Sequence, residues 1–395
     1  MKFTQAAIPL RHLWSSPFVR WQGALADVSS LDLAHAVTRD ALAQRATDTS
    51  RITQIVLGTS VPQPSSFYAA PWLAARLGME GLTGPHLSQA CATSVACVVS
   101  AAMTVEVDTR ACPLVVTTDR TSNGPLLVYP RSRSMGGSPE TEHWVLDNFA
   151  ADPWTGRAMI DTAEGVAQEG DFTREELDEL TLLRYRQYDR ALADDRAFQR
   201  RYMQPVVIQK GRQRIEVDSD QGVHPTRAED LAALKPVHEG ARHTPGAQTH
   251  PADGTAGALV MSLEAVRALS AGEGVVRLVS GAVARVEKAR MPKAATVAAQ
   301  EALREAGLTM NDVHAVGTHN PFAVNDLWLA KQTGCPIDRM NAYGCSLVYG
   351  HPQGPTGLRG ITELVHALAL RGGGVGLFTG CAAGDTGAAL VIQVQ

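Results

Sequence analysis

The chain has 395 residues, with 36 Lys+Arg against 40 Asp+Glu, a formal net charge of -4 and 45% hydrophobic residues. That is enough chain for two or three domains with a real core, and too apolar and weakly charged for extended disorder. It also lacks the basic excess that nucleic acid demands, and no run approaches the roughly 18 uninterrupted apolar residues of a membrane span. Six cysteines without a C-x-x-C pair make neither a disulfide framework nor a zinc site, so no metal is expected. The opening Met-Lys-Phe-Thr-Gln lacks the basic-then-apolar layout of a secretory signal, so a cytoplasmic globular protein is expected. Aromatics at 5% and 35 glycines suit a layered α/β protein, where small residues let helices approach sheets.

In chain order, 31–42 has apolar residues at helical spacing, 52–57 reads as a short buried strand closed by Gly58, and 114–117 repeats the strand signal. From about 120 to 250 the sequence turns polar. Within that stretch Thr173 and Glu176 have the spacing of a capping box, opening a helix predicted to run through Arg190. An insertion this long either packs idly on the surface or serves function or assembly. The α/β alternation then resumes: a strand from Val275, a helix over 296–306 stopped by Gly307, a strand at 313–316 and a helix over 361–370. The stretches 376–381 and 388–394 read as a closing hairpin. Two halves, each with a cysteine at a strand edge or strand-to-helix junction, hint at an internal duplication.

Four segments carry candidate chemistry. Cys91 precedes a small-residue helix, so its thiol lies near a helix N-terminus, which favours a thiolate and lowers its pKa. A thiolate exchanges thioesters readily; the competing reading is a buried structural cysteine, as expected for Cys97. His319 and Asn320 follow a predicted strand and are placed to orient a water or bind a carbonyl oxygen, or simply to form a turn before Pro321. His351, between Gly350 and Pro352 in a glycine-lined loop, is a candidate base or a surface histidine of a tight loop. Cys381, in Gly380-Cys381-Ala382-Ala383-Gly384, offers a proton donor and backbone N–H groups for an oxyanion, or a buried thiol in a hairpin.

Taken in order and spacing, these segments resemble the thiolase family, from about Ser16 to Val394. Pro17 to Leu25 resembles its opening turn, Cys91 its acyl-accepting cysteine, His319-Asn320-Pro321-Phe322-Ala323 its Asn-Glu-Ala-Phe-Ala motif, 341–357 its Gly-His-Pro-x-Gly loop, and Cys381 its second cysteine. Met159 to Ala167 looks like part of a loop domain covering coenzyme A. The resemblance implies a thiolase-like α/β fold: two similar halves in a layered αβαβα arrangement with an inserted loop domain. It divides the chain into an N-terminal half at 1–119, completed by about 251–272, a loop domain at 120–250 and a C-terminal half at 273–395.

The implied activity is acyl-CoA C-acyl transfer, by thiolysis of 3-ketoacyl-CoA or the reverse Claisen condensation, through an acyl-enzyme on Cys91. His351 would be its base, Cys381 the acid/base at the second substrate, and His351 with His319, or with a water that His319 holds, one oxyanion hole. The backbone N–H groups of Cys91 and Ala383 would form the other. Coenzyme A and acyl-CoA are substrates, with no permanently bound cofactor. Met159, Thr249, His250, Asn320 and Phe322 are the implied substrate contacts, and Arg212, Arg214 and Arg227 are candidates for the phosphates. A homodimer or homotetramer is expected, or pairing with a partner subunit, with no nucleic acid or membrane. Departures are plain: His319 stands where the family has Asn, as in its sterol-carrier-type branch. Ala383 stands for Gly, and Ala247 and His250 replace Asn and Gly of the pantetheine loop at 244–254. The alternatives are a one-way condensing enzyme on the same fold and a non-catalytic thiolase-like subunit that binds acyl-CoA.

Overall fold

The computed structural model describes residues 1–122, 124–131, 133, 137–270 and 272–395. A path of six elements runs twice through it. In the first half a strand (Leu13–Ser15) leads to an outer helix (Ser30–Gln44), a strand (Gln54–Gly58), an inner helix (Thr93–Val107) and two strands (Pro113–Arg120, Ala252–Leu259). The second half repeats this with Val275–Arg285, Met291–Ala306, Ala315–His319, Thr356–Leu370, Gly374–Ala382 and Thr386–Val394. Pairing agrees strand for strand. The third element runs parallel to the fifth, the fifth antiparallel to the sixth, and the sixth antiparallel to the first. Parallel neighbours need a crossover, and each inner helix supplies one.

The two inner helices pack against each other between the sheets, and the outer helices cover the far faces. This five-layer αβαβα order explains the composition of Thr93–Val107. Squeezed between two sheets, it is apolar or small on nearly every side. By length and composition Ala90–Val107 passes for a membrane span, contrary to the expectation from uninterrupted runs. Thr93, Ser94, Ser100, Thr104 and Glu106 break the run, and most of this helix is buried in the core. The outer helices carry ordinary stop and start signals. Ser29 accepts the Asp32 N–H, and Gly307 ends Met291–Ala306 at a left-handed φ of 72°.

The polar insertion interrupts the first half between its fifth and sixth elements, where the second half has only residues 383–385. It contains the helix Met159–Glu169, the helix Arg174–Arg196 with the Thr173–Glu176 capping box formed, and a hairpin of Val206–Lys210 with Gln213–Val217. The two helices pack on Ala323–Thr333 of the second half. Sheet membership crosses the halves as well, because Ala6–Pro9 and Met261–Ser262 extend the second half's sheet beyond Val275–Arg285.

One buried ion cluster joins all three parts. Asp220 of the insertion receives both terminal nitrogens of Arg359, at 2.6 and 2.7 Å, from the second inner helix, with both side chains fully buried. Asp220 also accepts the Phe18 N–H at 2.8 Å and the Tyr188 hydroxyl at 2.9 Å. The Arg359 guanidinium lies 3.6 Å from the centre of the Tyr349 ring. Removing Arg359 leaves the charge of Asp220 buried and unpaired, and takes from Glu363 the Nε–H that lies 3.1 Å away. Arg359→Met is therefore expected to lose about 3–5 kcal/mol of stability, and Asp220→Asn added to it to restore part of that. Guanidinium unfolding of the two variants checks this; equal losses in both would contradict it.

Candidate active site

Both inner helices begin at the same end of the middle layer, and the loops entering them carry Cys91 and His351. Cys91 lies two residues before Thr93, after a tight turn in which Ala90 adopts a left-handed φ of 45°. Thr93 Oγ1 holds that turn, accepting the Gln89 N–H at 2.9 Å and donating to the Ala90 carbonyl at 2.7 Å. His351 follows Gly350, whose φ of 91° and contact with the His250 ring leave no room for a side chain. Its Nε2 is 3.0 Å from Cys91 Sγ, across 260 residues of sequence. Its Nδ1 is 2.7 Å from Thr356 Oγ1 in the first turn of the helix it precedes. Asp119 pins the same loop from the first half. Its buried carboxylate accepts N–H groups of Ser60, Val61 and Gly354, and burial still raises its pKa to about 7.

His319 ends the strand Ala315–His319, its ring centre 4.1 Å from that of His351. Its Nδ1 meets Ser346 Oγ at 2.9 Å, while Nε2 is buried without a partner among the described residues. Cys381, near the end of Gly374–Ala382, accepts a hydrogen bond from Asn325 Nδ2 at 3.2 Å. Cys91, His351, Cys381, Ala383 and Thr249 all line one cavity of about 270 Å³. Phe149, Met159, Ile160, Met291 and Phe322 give it apolar walls.

Burial dominates the electrostatics. The helix start was expected to lower the Cys91 pKa, yet desolvation drives it up to about 12. The N–H groups of Ala383 and of Cys91 itself point at the sulfur and oppose this without reversing it. Burial also holds His351 well below 6.5, helped by neighbouring His319, and takes His319 down to about 3. Cys381 is pushed up by burial and then by Cys91. The resting pair is thus a neutral thiol beside a neutral imidazole.

Several expected contacts lie elsewhere. Asn320 is fully buried outside the cavity, donating to Asp326 Oδ2 at 2.7 Å and Cys345 Sγ at 3.2 Å, because Asp326 needs those donors beside Arg184. His250 also lies outside it, its Nε2 buried against Gly350, while its carbonyl accepts the His351 N–H at 2.8 Å. Arg212 is exposed at the hairpin turn, and Arg214 pairs with Glu216 at 2.9 Å beside the first outer helix. Arg227 lines a separate cleft with Tyr185 and His224, and none of the three arginines reaches the Cys91 cavity. Sequence reasoning missed Asp119, Asn325, Ser346 and Thr356. Asp119 had a usable signal, a carboxylate next to the end of a strand that opens on the apolar run Leu114–Val116.

Comparison with known proteins agrees with this geometry. The thiolase N-terminal domain matches residues 14–264 and the thiolase C-terminal domain residues 273–394. The chain belongs to the thiolase family. It is 27% identical to the acetyl-CoA acetyltransferase of Escherichia coli K12, covering 94% of this chain and 95% of that protein. It is 28% identical to the 3-ketoacyl-CoA thiolase of Erwinia tasmaniensis, covering 98% and 97%. Its fold matches the crystal structure of the Bacillus anthracis acetyl-CoA acetyltransferase with a TM-score of 0.90 at 24% identity over 100% of both chains. Human mitochondrial 3-ketoacyl-CoA thiolase in complex with CoA matches with a TM-score of 0.89 at 23% identity, over 99% and 98%.

The depressed histidines make a stability prediction. A His319 that titrates near 3 when folded and near 6.5 when unfolded resists a proton that the unfolded chain accepts. Stability is therefore intact above about pH 6.5 and falls as pH drops toward 3. His319→Asn should flatten that fall, measured as melting temperature between pH 7 and pH 4; an unchanged slope would show that His319 is not kept neutral.

Proposed function

We propose that this protein is a thiolase-type acyl-CoA C-acyltransferase, which thiolyses 3-ketoacyl-CoA or runs the reverse Claisen condensation. The reading rests on one observation: Cys91, paired with His351, shares an apolar-walled cavity with Cys381 and Ala383. In cleavage His351 Nε2, neutral and unprotonated, takes the Cys91 proton as Sγ attacks the substrate's C3 carbonyl carbon. The C2–C3 bond then breaks and its electron pair stays on C2. Cys381 delivers a proton there, releasing acetyl-CoA and leaving the acyl group on Cys91. The thiol of coenzyme A gives its proton to the Cys381 thiolate and attacks that thioester, and the departing Cys91 sulfur takes its proton back from His351, which frees the enzyme. Condensation reverses each step, with Cys381 accepting the C2 proton.

Two donor sets are suited to the developing oxyanions. The N–H groups of Cys91 and Ala383 converge beside Sγ. His319, outside the cavity lining but with its ring beside that of His351, offers the other: its Nε2 carries a proton when Ser346 donates to Nδ1 at 2.9 Å. Such groups each contribute about 10²–10³ to the rate. Coenzyme A would enter past Met159 and Phe322, and self-association would cover Phe67, Tyr68 and Trp72, exposed near the edge strand His86–Leu87. The His319–His351 pair also keeps the one-way condensing enzyme in play, in which Cys381 has no role.

Acyl-CoA incubation followed by peptide mass mapping should place the acyl group on Cys91 and none on a Cys91→Ala variant. Cys381→Ala should still form the acyl-enzyme but lose carbon–carbon cleavage or formation by about two orders of magnitude. Near-normal condensation by that variant would favour the one-way enzyme, and no adduct with any acyl-CoA would defeat acyl transfer altogether.

A further inference from the structure

We propose that Cys91, His319 and His351 together bind a soft divalent cation, zinc foremost, in a site that reversibly blocks the protein. Cys91 Sγ and one ring nitrogen from each histidine lie within 4.8 Å of one another. Both imidazoles have Nδ1 committed to a hydroxyl, His319 to Ser346 at 2.9 Å and His351 to Thr356 at 2.7 Å. In the tautomer whose Nδ1–H donates to the hydroxyl, for His319 the opposite of the one that would serve an oxyanion, both Nε2 lone pairs are left for the cysteine side. Metal-bound histidines are oriented in the same way through the far ring N–H, there usually by a carboxylate, backbone carbonyl or water and here by a hydroxyl. The independent sign is His319 Nε2, on a side chain only 2% exposed, which has no hydrogen-bond partner among the described residues.

Tetrahedral zinc, bound at about 2.3 Å to sulfur and 2.0–2.1 Å to nitrogen, sets its donor atoms roughly 3.4–3.6 Å apart. Cys91 Sγ and His351 Nε2 at 3.0 Å must open slightly, and the widest pair must close by about an ångström. Side-chain torsions suffice for both. Two of the three ligands, Cys91 and His351, line the cavity described above. One sulfur and two imidazoles without a carboxylate select zinc, cobalt or copper over magnesium or calcium. Asn at position 319 would offer only a weak amide oxygen, so the third strong ligand is His319.

Coordination involves no redox change. Each neutral imidazole gives a lone pair, the Cys91 thiol gives its proton to solvent, and the sulfur binds as thiolate, so affinity rises with pH. The cation and an acyl group compete for one sulfur. Binding depends on side-chain geometry alone, so it stands or falls separately from the acyl-transfer reading, which mass mapping tests.

The experiment is anaerobic titration of the reduced, metal-free protein with Co²⁺, then displacement by Zn²⁺. Expected are a thiolate-to-cobalt charge-transfer band in the near ultraviolet that saturates at one equivalent, its loss on adding zinc, and slower alkylation of Cys91 by iodoacetamide with zinc bound. The band should vanish in Cys91→Ala and in Cys91→Ser. His319→Asn should weaken zinc binding by about 10- to 100-fold or more. No charge-transfer band in the unmodified protein, a band that survives in both Cys91 variants, or unchanged affinity in His319→Asn would each overturn the proposal.

Discussion

Everything at the site hangs on a contact of 3.0 Å between a thiol and an imidazole that belong to different halves of the chain. Neither loop reaches the other alone. The contact exists because the two inner helices pack side by side with the same end toward the cavity. Their seating depends on close approaches that admit no side chain. A Cβ on Gly58 would lie 2.6 Å from Cys97 Sγ and Thr93 Cγ2, and one on Gly360 would lie 2.6 Å from the Phe378 ring. Asp119 then ties the two halves at the site itself, holding the Gly354 N–H from the strand that follows the first inner helix.

The same packing determines the chemical state of the reacting groups. Sandwiching the helices buries His319, His351 and Cys381 and leaves Cys91 half-buried at the cavity wall, and desolvation penalises every charged form. Nearby N–H groups offset this only in part, so charge develops late, when an acyl group or another electrophile arrives. A site of neutral groups aimed at one point is also a good set of soft ligands. Acyl transfer and metal capture are then two uses of one geometry.

Buried polar nodes keep that geometry single-valued. Arg359 with Asp220 locks the insertion onto the second inner helix, and Arg184 with Asp326 locks the insertion's long helix onto the His319–Asn320 corner. These pairs are fully desolvated, so a shifted insertion would strand charges at a cost of several kcal/mol. The apolar insertion face against Phe322, Val324 and Leu327 adds area. The ions add register.

Periodicity and turn chemistry were enough to read the outer helices, the resumption of α/β order after Val275, the closing hairpin and the Thr173 capping box, because each of these is a local preference. Local sequence also marked Cys91, His319, His351 and Cys381 as candidates, each beside a competing structural reading, and the resemblance to thiolases assigned their roles. Partnerships were beyond it. That Thr356 and Ser346 hold the two imidazoles, that Asn320 turns inward to Asp326, and that Arg214 points away from the cavity follow from which elements happen to face one another. The sign of the Cys91 shift belongs to the same class. A helix start is visible in one stretch of sequence, whereas the burial that outweighs it is made by two sheets and an insertion drawn from the whole chain.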